Sequence, residues 1–258
     1  MIQLGNCEAL CASGCTLACA NCNHASAITP HSFLSPESME RDLRLLGRVV
    51  HFDFHCLQGG EVLLNKRLLE LMDVQERSGI ADKYGILTNG TLLDRMTDDF
   101  WRKAARPNFE LRWSVYPIIT DEYLNEMTLK ARSFGVDIRP GRIGAFKPML
   151  TTHKDGGQHV WNICPWKKCY TCHEGYFYHC PIAALFPAQF PERFADGPPA
   201  HTVDGYPLET LTEEVLREML ARKNPLKSCE ICTGAVVGDW APWKQVSNRE
   251  EWIKATTV

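Results

Sequence analysis

Cys15-Thr16-Leu17-Ala18-Cys19-Ala20-Asn21-Cys22 places three thiols within eight residues. Thiolates at this spacing each take one iron of a single [4Fe–4S] cube and leave the fourth iron open to an exogenous ligand. The count of three is informative, because a structural zinc site closes a set of four and builds it from a Cys-x2-Cys pair with a distant partner pair. A zinc reading would recruit Cys11 or Cys7, which continue the four-residue spacing backwards. Only Cys15 begins a frame that ends in Cys-x2-Cys, so Cys7 and Cys11 read as residues of a preceding strand.

The other cysteines extend this reading. The chain has 258 residues and 12 cysteines: five between Cys7 and Cys22, six between Cys164 and Cys232, and Cys56 apart. The segment Met1–Asn6 lacks the basic and apolar regions of a signal peptide. No apolar run approaches the ~18–20 residues of a spanning helix. The expected setting is cytoplasmic, without a membrane partner, where thiols stay reduced and clustered cysteines point to metal. A net charge of −3, with no Lys/Arg-rich block, argues against nucleic acid. The 45% hydrophobic content suits one main core with a smaller appendage.

Outward from the cysteine loop, short apolar runs alternate with amphipathic stretches, which predicts strand–helix units and a mainly parallel sheet. Strands are expected at about 2–11, 51–57, 83–88, 109–116 and 136–139, with helices at about 36–48, 65–77, 91–105 and 120–133. Ser35 suits a helix cap and Pro36 a first helical position, and Gly135 closes the helix that starts at Thr120. Residues 140–210 lose this periodicity and read as an irregular, metal-organised segment, followed by a helix at about 213–223 capped by Thr212.

Three further motifs fall at the carboxyl ends of these strands, the edge where such barrels build their sites. They are Gly59-Gly60-Glu61, Thr88-Asn89-Gly90 and Trp113-Ser114-Val115-Tyr116. With the cysteine triplet they resemble the radical S-adenosylmethionine (SAM) superfamily. The resemblance implies an α/β fold: a partial (β/α)6 TIM-like barrel with a small C-terminal iron-sulfur extension, divided at residues 1–150 and 151–258. It also implies that Cys15, Cys19 and Cys22 hold the SAM-binding [4Fe–4S] cluster. S-adenosyl-L-methionine would then lie against Gly59, Gly60, Glu61, Asn89 and Ser114. Two departures are Asn21, where many members have an aromatic residue, and Val62, where many have proline.

The second cysteine group, Cys164, Cys180 and Cys229-x2-Cys232 with Gly175 between the first two, resembles the auxiliary-cluster extension of that family in its short "twitch" form rather than the longer "SPASM" form. The implied ligands of an auxiliary [4Fe–4S] cluster are Cys164, Cys180, Cys229 and Cys232. The alternative is a zinc site of Cys169-x2-Cys172 with Cys229-x2-Cys232. The resemblance further implies an enzyme that draws electrons from a reductant such as flavodoxin or ferredoxin. Its radical chemistry would oxidise a carbinol of a small polyol, sugar or amino-sugar, with the auxiliary cluster as electron acceptor. Peptide maturation and thiol-dependent epimerisation are the enzymatic alternatives, the latter using Cys169 or Cys172 as a catalytic thiol. An iron-sulfur electron carrier or a zinc-binding module is the non-enzymatic one.

Overall fold

The structure, a computed structural model, describes residues 1–152, 157–194 and 203–258. Its first part alternates β1 (Ile2–Ala12), α1 (Pro36–Leu46), β2 (Val50–Gly59), α2 (Leu68–Arg77), β3 (Ala81–Thr88), α3 (Asp98–Ala104), β4 (Phe109–Val115), α4 (Asp121–Ser133) and β5 (Asp137–Arg142). Neighbours in this series pair in parallel. The cap read at Ser35 forms, its side chain accepting a hydrogen bond from the Ser38 amide, and Thr120 likewise accepts one from the Tyr123 amide. α3 begins later than expected, because residues Leu93–Arg95 turn as a short 3-10 helix first.

The second part contains β6 (Ala145–Phe146), α5 (Gly157–Ile163), β7 (Cys169–His173), β8 (Tyr176–Tyr178), α6 (Pro181–Gln189), β9 (Tyr206–Pro207), α7 (Glu213–Leu220), β10 (Ala241–Pro242) and α8 (Arg249–Thr256). β7 lies parallel to β1 at its free edge, and β8 and β9 follow antiparallel, giving one eight-stranded sheet of order β5-β4-β3-β2-β1-β7-β8-β9. The fold is the α/β, partial TIM-like barrel that the motifs imply. Its sixth parallel strand is β7, which closes on β1, whereas β6 pairs only with β10. The segment read as irregular thus contains regular elements. Every residue of α6 but Ala188 is buried, so the helix is apolar all round and shows no amphipathic period.

Leu57, Ile86, Leu111 and Trp113 from the sheet pack with Leu43, Leu71, Trp101 and Met127 from the helices in the main core. A second core gathers Leu150, Trp161, Phe186, Phe190 and Trp252, together with Ala20 and Ala25 of the cysteine loop. That loop is therefore held between the barrel and the C-terminal elements. No helix among the described residues is long and apolar enough to cross a membrane.

Gln75 of α2 ties this layer to the sheet. Its Nε2 donates to the carbonyls of His55 (2.7 Å) and Gly85 (3.1 Å) and lies 3.0 Å from His55 Nδ1. Burial lowers the His55 pKa from 6.5 to about 4. The unfolded chain therefore takes up a proton that the folded one refuses, and stability falls as pH drops from about 6.5 towards 4. Replacing His55→Gln should remove about 2 kcal/mol of the stability difference between pH 7.5 and pH 5, read from urea unfolding of variant and wild type at both pH values.

Candidate active site and the two cysteine centres

β1 ends at Ala12, and the cysteine loop leaves it against the end of β2. The Gly60 amide donates to the Ala12 carbonyl (2.6 Å) and the Glu61 amide to the Gly14 carbonyl (2.8 Å). Gly59 has φ +142°, and a Cβ on it would stand 2.1 Å from the Ala12 oxygen; one on Gly60 would stand 2.1 Å from the Gly14 oxygen. Only glycine permits this approach, so the pair first serves to seat the cysteine loop. Both glycines also line a cavity of about 260 Å³.

Glu61 is fully buried and does not line that cavity. Its carboxylate accepts from Thr88 Oγ1 (2.6 Å), the Asn89 amide (2.8 Å) and the Leu63 amide (3.0 Å), which ties the end of β2 to the end of β3. Burial raises its pKa, against those three donors. The clamp sets Asn89, whose side-chain amide donates to Thr16 Oγ1 (3.0 Å) and Cys15 Sγ (3.4 Å). Asn89 and Ser114 both face the cavity.

Cys15, Cys19 and Cys22 line the same cavity. Burial pushes the Cys15 and Cys19 thiols up to about 12, and for each the neighbouring cysteine charge adds to the rise. Such a trio ionises when a cation compensates it, and iron does so. Among the described residues no three His, Cys, Asp or Glu side chains are gathered as ligands of one metal ion; a cube instead spreads its thiolates over separate irons. The donor set fits a three-cysteine cube, and Gly59, Gly60, Asn89 and Ser114 line the same cavity.

Cys164, Cys180, Cys229 and Cys232 line a second, small cavity. Burial holds the Cys180 thiol far above its usual range, reinforced by the charges of Cys232, Cys229 and Cys164. Glu174 and Gly175, at φ +48° and +80°, make the tight turn of the β7–β8 hairpin. Asp204 accepts from the Lys227 amide (2.9 Å), the Ser228 amide (2.8 Å) and Ser228 Oγ (2.6 Å), fixing the turn that carries Cys229. This set fits a four-cysteine cube.

Cys169 and Cys172 are not in that set. Cys169 lines the first cavity, whereas Cys172 is buried in the main core beside Cys7. Three residues apart on a strand, they point to opposite faces. The cavity wall also contains Tyr116 of the third motif, together with Glu8 and Gln58, which the sequence reading did not single out, and Trp166, which lines both cavities. Burial raises the Glu8 carboxyl to about 8, a hydrogen bond with Gln58 opposing it, and Oε2 has no partner. The available signal was a carboxylate in the middle of an apolar strand.

No family model matches the chain, and no curated protein sequence does. Among solved structures, BtrN in complex with AdoMet and 2-DOIA is 12% identical, with a TM-score of 0.52 over 89% of this chain and 92% of that one. The chain shares the fold of that structure. The radical SAM structures of Streptococcus suis SuiB bound to S-adenosylmethionine (14% identity, TM-score 0.44, 61% of this chain and 36% of that) and of anSMEcpe with bound AdoMet (15%, 0.45, 76% and 61%) align over smaller shares. The chain spans about a third of the length of SuiB.

Removing the Glu61 carboxylate leaves three buried donors unmatched beside this cavity. Glu61→Ala should cost about 3 kcal/mol of stability, whereas Ser114→Ala, at the cavity wall, should cost under about 1 kcal/mol; urea midpoints of the two variants check this.

Proposed function

We propose that the chain is a radical SAM enzyme that oxidises a carbinol of a small polyol, sugar or amino-sugar, with an auxiliary cluster as electron acceptor. In this reading residues 1–150 are the catalytic core and 151–258 the auxiliary-cluster extension. One observation carries it: Trp166 lines both the cavity of Cys15, Cys19 and Cys22 and the cavity of Cys164, Cys180, Cys229 and Cys232. A substrate in the first cavity would be separated from the second set of thiols by a single indole. Held by Cys15, Cys19 and Cys22, a reduced cluster would supply the electron that splits SAM into methionine and a 5′-deoxyadenosyl radical, which would take the carbinol's C–H hydrogen atom.

The protein's own part is to bind, orient and take a proton. Gly59 and Gly60 offer backbone groups to SAM, and Asn89 and Ser114 offer polar side chains on the same wall. Across the cavity Glu8 is available to a substrate hydroxyl. A carboxyl raised to about 8 is, once ionised, a stronger base than an ordinary one. Gln58 holds it in place. Oxidation of a carbinol releases the hydroxyl proton, and Glu8 is the residue that receives it.

A second reading, thiol-dependent epimerisation, is favoured by Cys169, whose side chain lines the same cavity. In deuterated water that reaction would place deuterium on an inverted carbon, and Cys169→Ala would abolish it with both clusters retained.

Anaerobically reconstituted protein should hold about eight irons per chain, and Ala at Cys15, Cys19 and Cys22 should leave about four. The reduced wild type should form 5′-deoxyadenosine from SAM. Glu8→Gln should keep the iron and the substrate-free deoxyadenosine formation while lowering ketone formation from polyol or amino-sugar at least about 100-fold, the size of a general-base contribution. Protein carrying zinc in place of the second four irons, or unable to cleave SAM, would sink the reading.

A further inference from the structure

The segment Trp243–Val246 lies across the cysteine loop. The Ala20 amide donates to the Lys244 carbonyl (3.0 Å) and the Val246 amide to the Ala18 carbonyl (2.8 Å). Cys19 and Gln245 form an antiparallel bridge, and the Ala18 amide reaches Gln245 Oε1 at 3.2 Å. These ties fix the backbone after Trp243, whose own amide donates to the Gly144 carbonyl (2.9 Å), and its ring packs on Tyr116 with centroids 5.8 Å apart. The indole Nε1 then stands 3.0 Å from Cys19 Sγ. An indole N–H can only donate, so the sulfur accepts. Cys15 also has sulfur-directed donors, the Leu17 amide and Asn89 Nδ2, both at 3.4 Å. Those come from the loop and the barrel, whereas the donor to Cys19 comes from 224 positions away.

We propose that Trp243 tunes the first cluster: its indole N–H, carried onto the Cys19 sulfur by the strap of residues 243–246, raises that cluster's reduction potential. The inference rests on the radical SAM reading above. Hydrogen bonds to ligating sulfurs are among the protein's levers on iron-sulfur potentials. The reduced cluster holds one more electron than the oxidised one and places more negative charge on its sulfurs, so the N–H bond is stronger to the reduced state. Taking the donor away makes reduction harder while leaving all three thiolates in place. Trp243 is a positioning residue, since it acts through Cys19 and not on the substrate. The same bond favours the charged form of the free thiol, opposing the rise that burial imposes on Cys19.

The test is a redox titration of the reconstituted holoenzyme, followed by the electron paramagnetic resonance signal that changes when SAM is added. Trp243→Phe keeps an aromatic ring against Tyr116 and removes the donor. It should retain the wild-type iron content and move the midpoint to lower potential; a tenfold change in the one-electron equilibrium corresponds to about 59 mV. Lys244→Ala, which leaves the donor in place, should titrate as wild type. A Trp243→Phe midpoint equal to or above that of the wild type overturns the proposal. If that variant loses the first cluster, Trp243→His decides: its ring N–H should restore the cluster, and failure to do so overturns the proposal. A wild-type holoenzyme with no SAM-responsive cluster defeats the radical SAM reading itself, and that failure is recognisable because it precedes any substitution.

Discussion

A carboxylate buried without a cationic partner is costly to ionise, and Glu61 meets that cost with three hydrogen-bond donors from two elements. The rest of the site follows from this arrangement. Because Thr88 and the Asn89 amide converge on Glu61, the end of β3 is held beside the end of β2. Asn89 is thereby aimed at Cys15 and Thr16. Because Gly59 and Gly60 sit directly before Glu61, their contacts with Ala12 and Gly14 fix the start of the cysteine loop in the same frame. Three strand ends and a loop thus share one reference point, which no side chain at the surface could provide.

The two thiol sets obey a common electrostatic logic with different outcomes. In both, burial and neighbouring thiols oppose ionisation, so the negative charge that a cluster requires is supplied only with the iron that balances it. The first set is open to a cavity where polar groups such as Gln58, Asn89 and Ser114 stand among apolar ones such as Leu17, Ile143 and Phe146. The second is enclosed by Val160, Trp161, Ile182 and Leu226. Apolar surroundings and a full set of thiolates suit an electron-transfer centre, whereas an open corner suits ligand exchange. Trp166 stands where the two environments meet.

Much of this was legible from sequence where the signal was local. The spacing of Cys15, Cys19 and Cys22, the paired glycines before Glu61 and the caps at Ser35 and Thr212 each announce a conformation through a few consecutive residues. Glu61 was read as part of the SAM contact, and the structure adds that its carboxylate is engaged within the protein by Thr88, Asn89 and Leu63. Cys169 and Cys172 looked equivalent until the strand between them turned one outward to the cavity and the other into the core. α6 escaped notice because a helix buried on every side has no polar face to set a period. Trp243 and the β7–β1 pairing depend on contacts across most of the chain, and nothing in a local window encodes them.

The closure of the cysteine loop by distant segments also orders events during synthesis. The Asn21 amide donates to Thr256 Oγ1 across 235 positions, and the strap at 243–246 is nearly as remote. At about 5–20 residues per second, the ribosome needs roughly 10–45 s after Cys19 to make the segment that covers it. During that interval the three thiols are nascent, with their flank uncovered and no distant donor on Cys19. Iron delivered early would enter a half-built site, so cluster loading and docking of the strap belong at the end of maturation, after translation has passed residue 256.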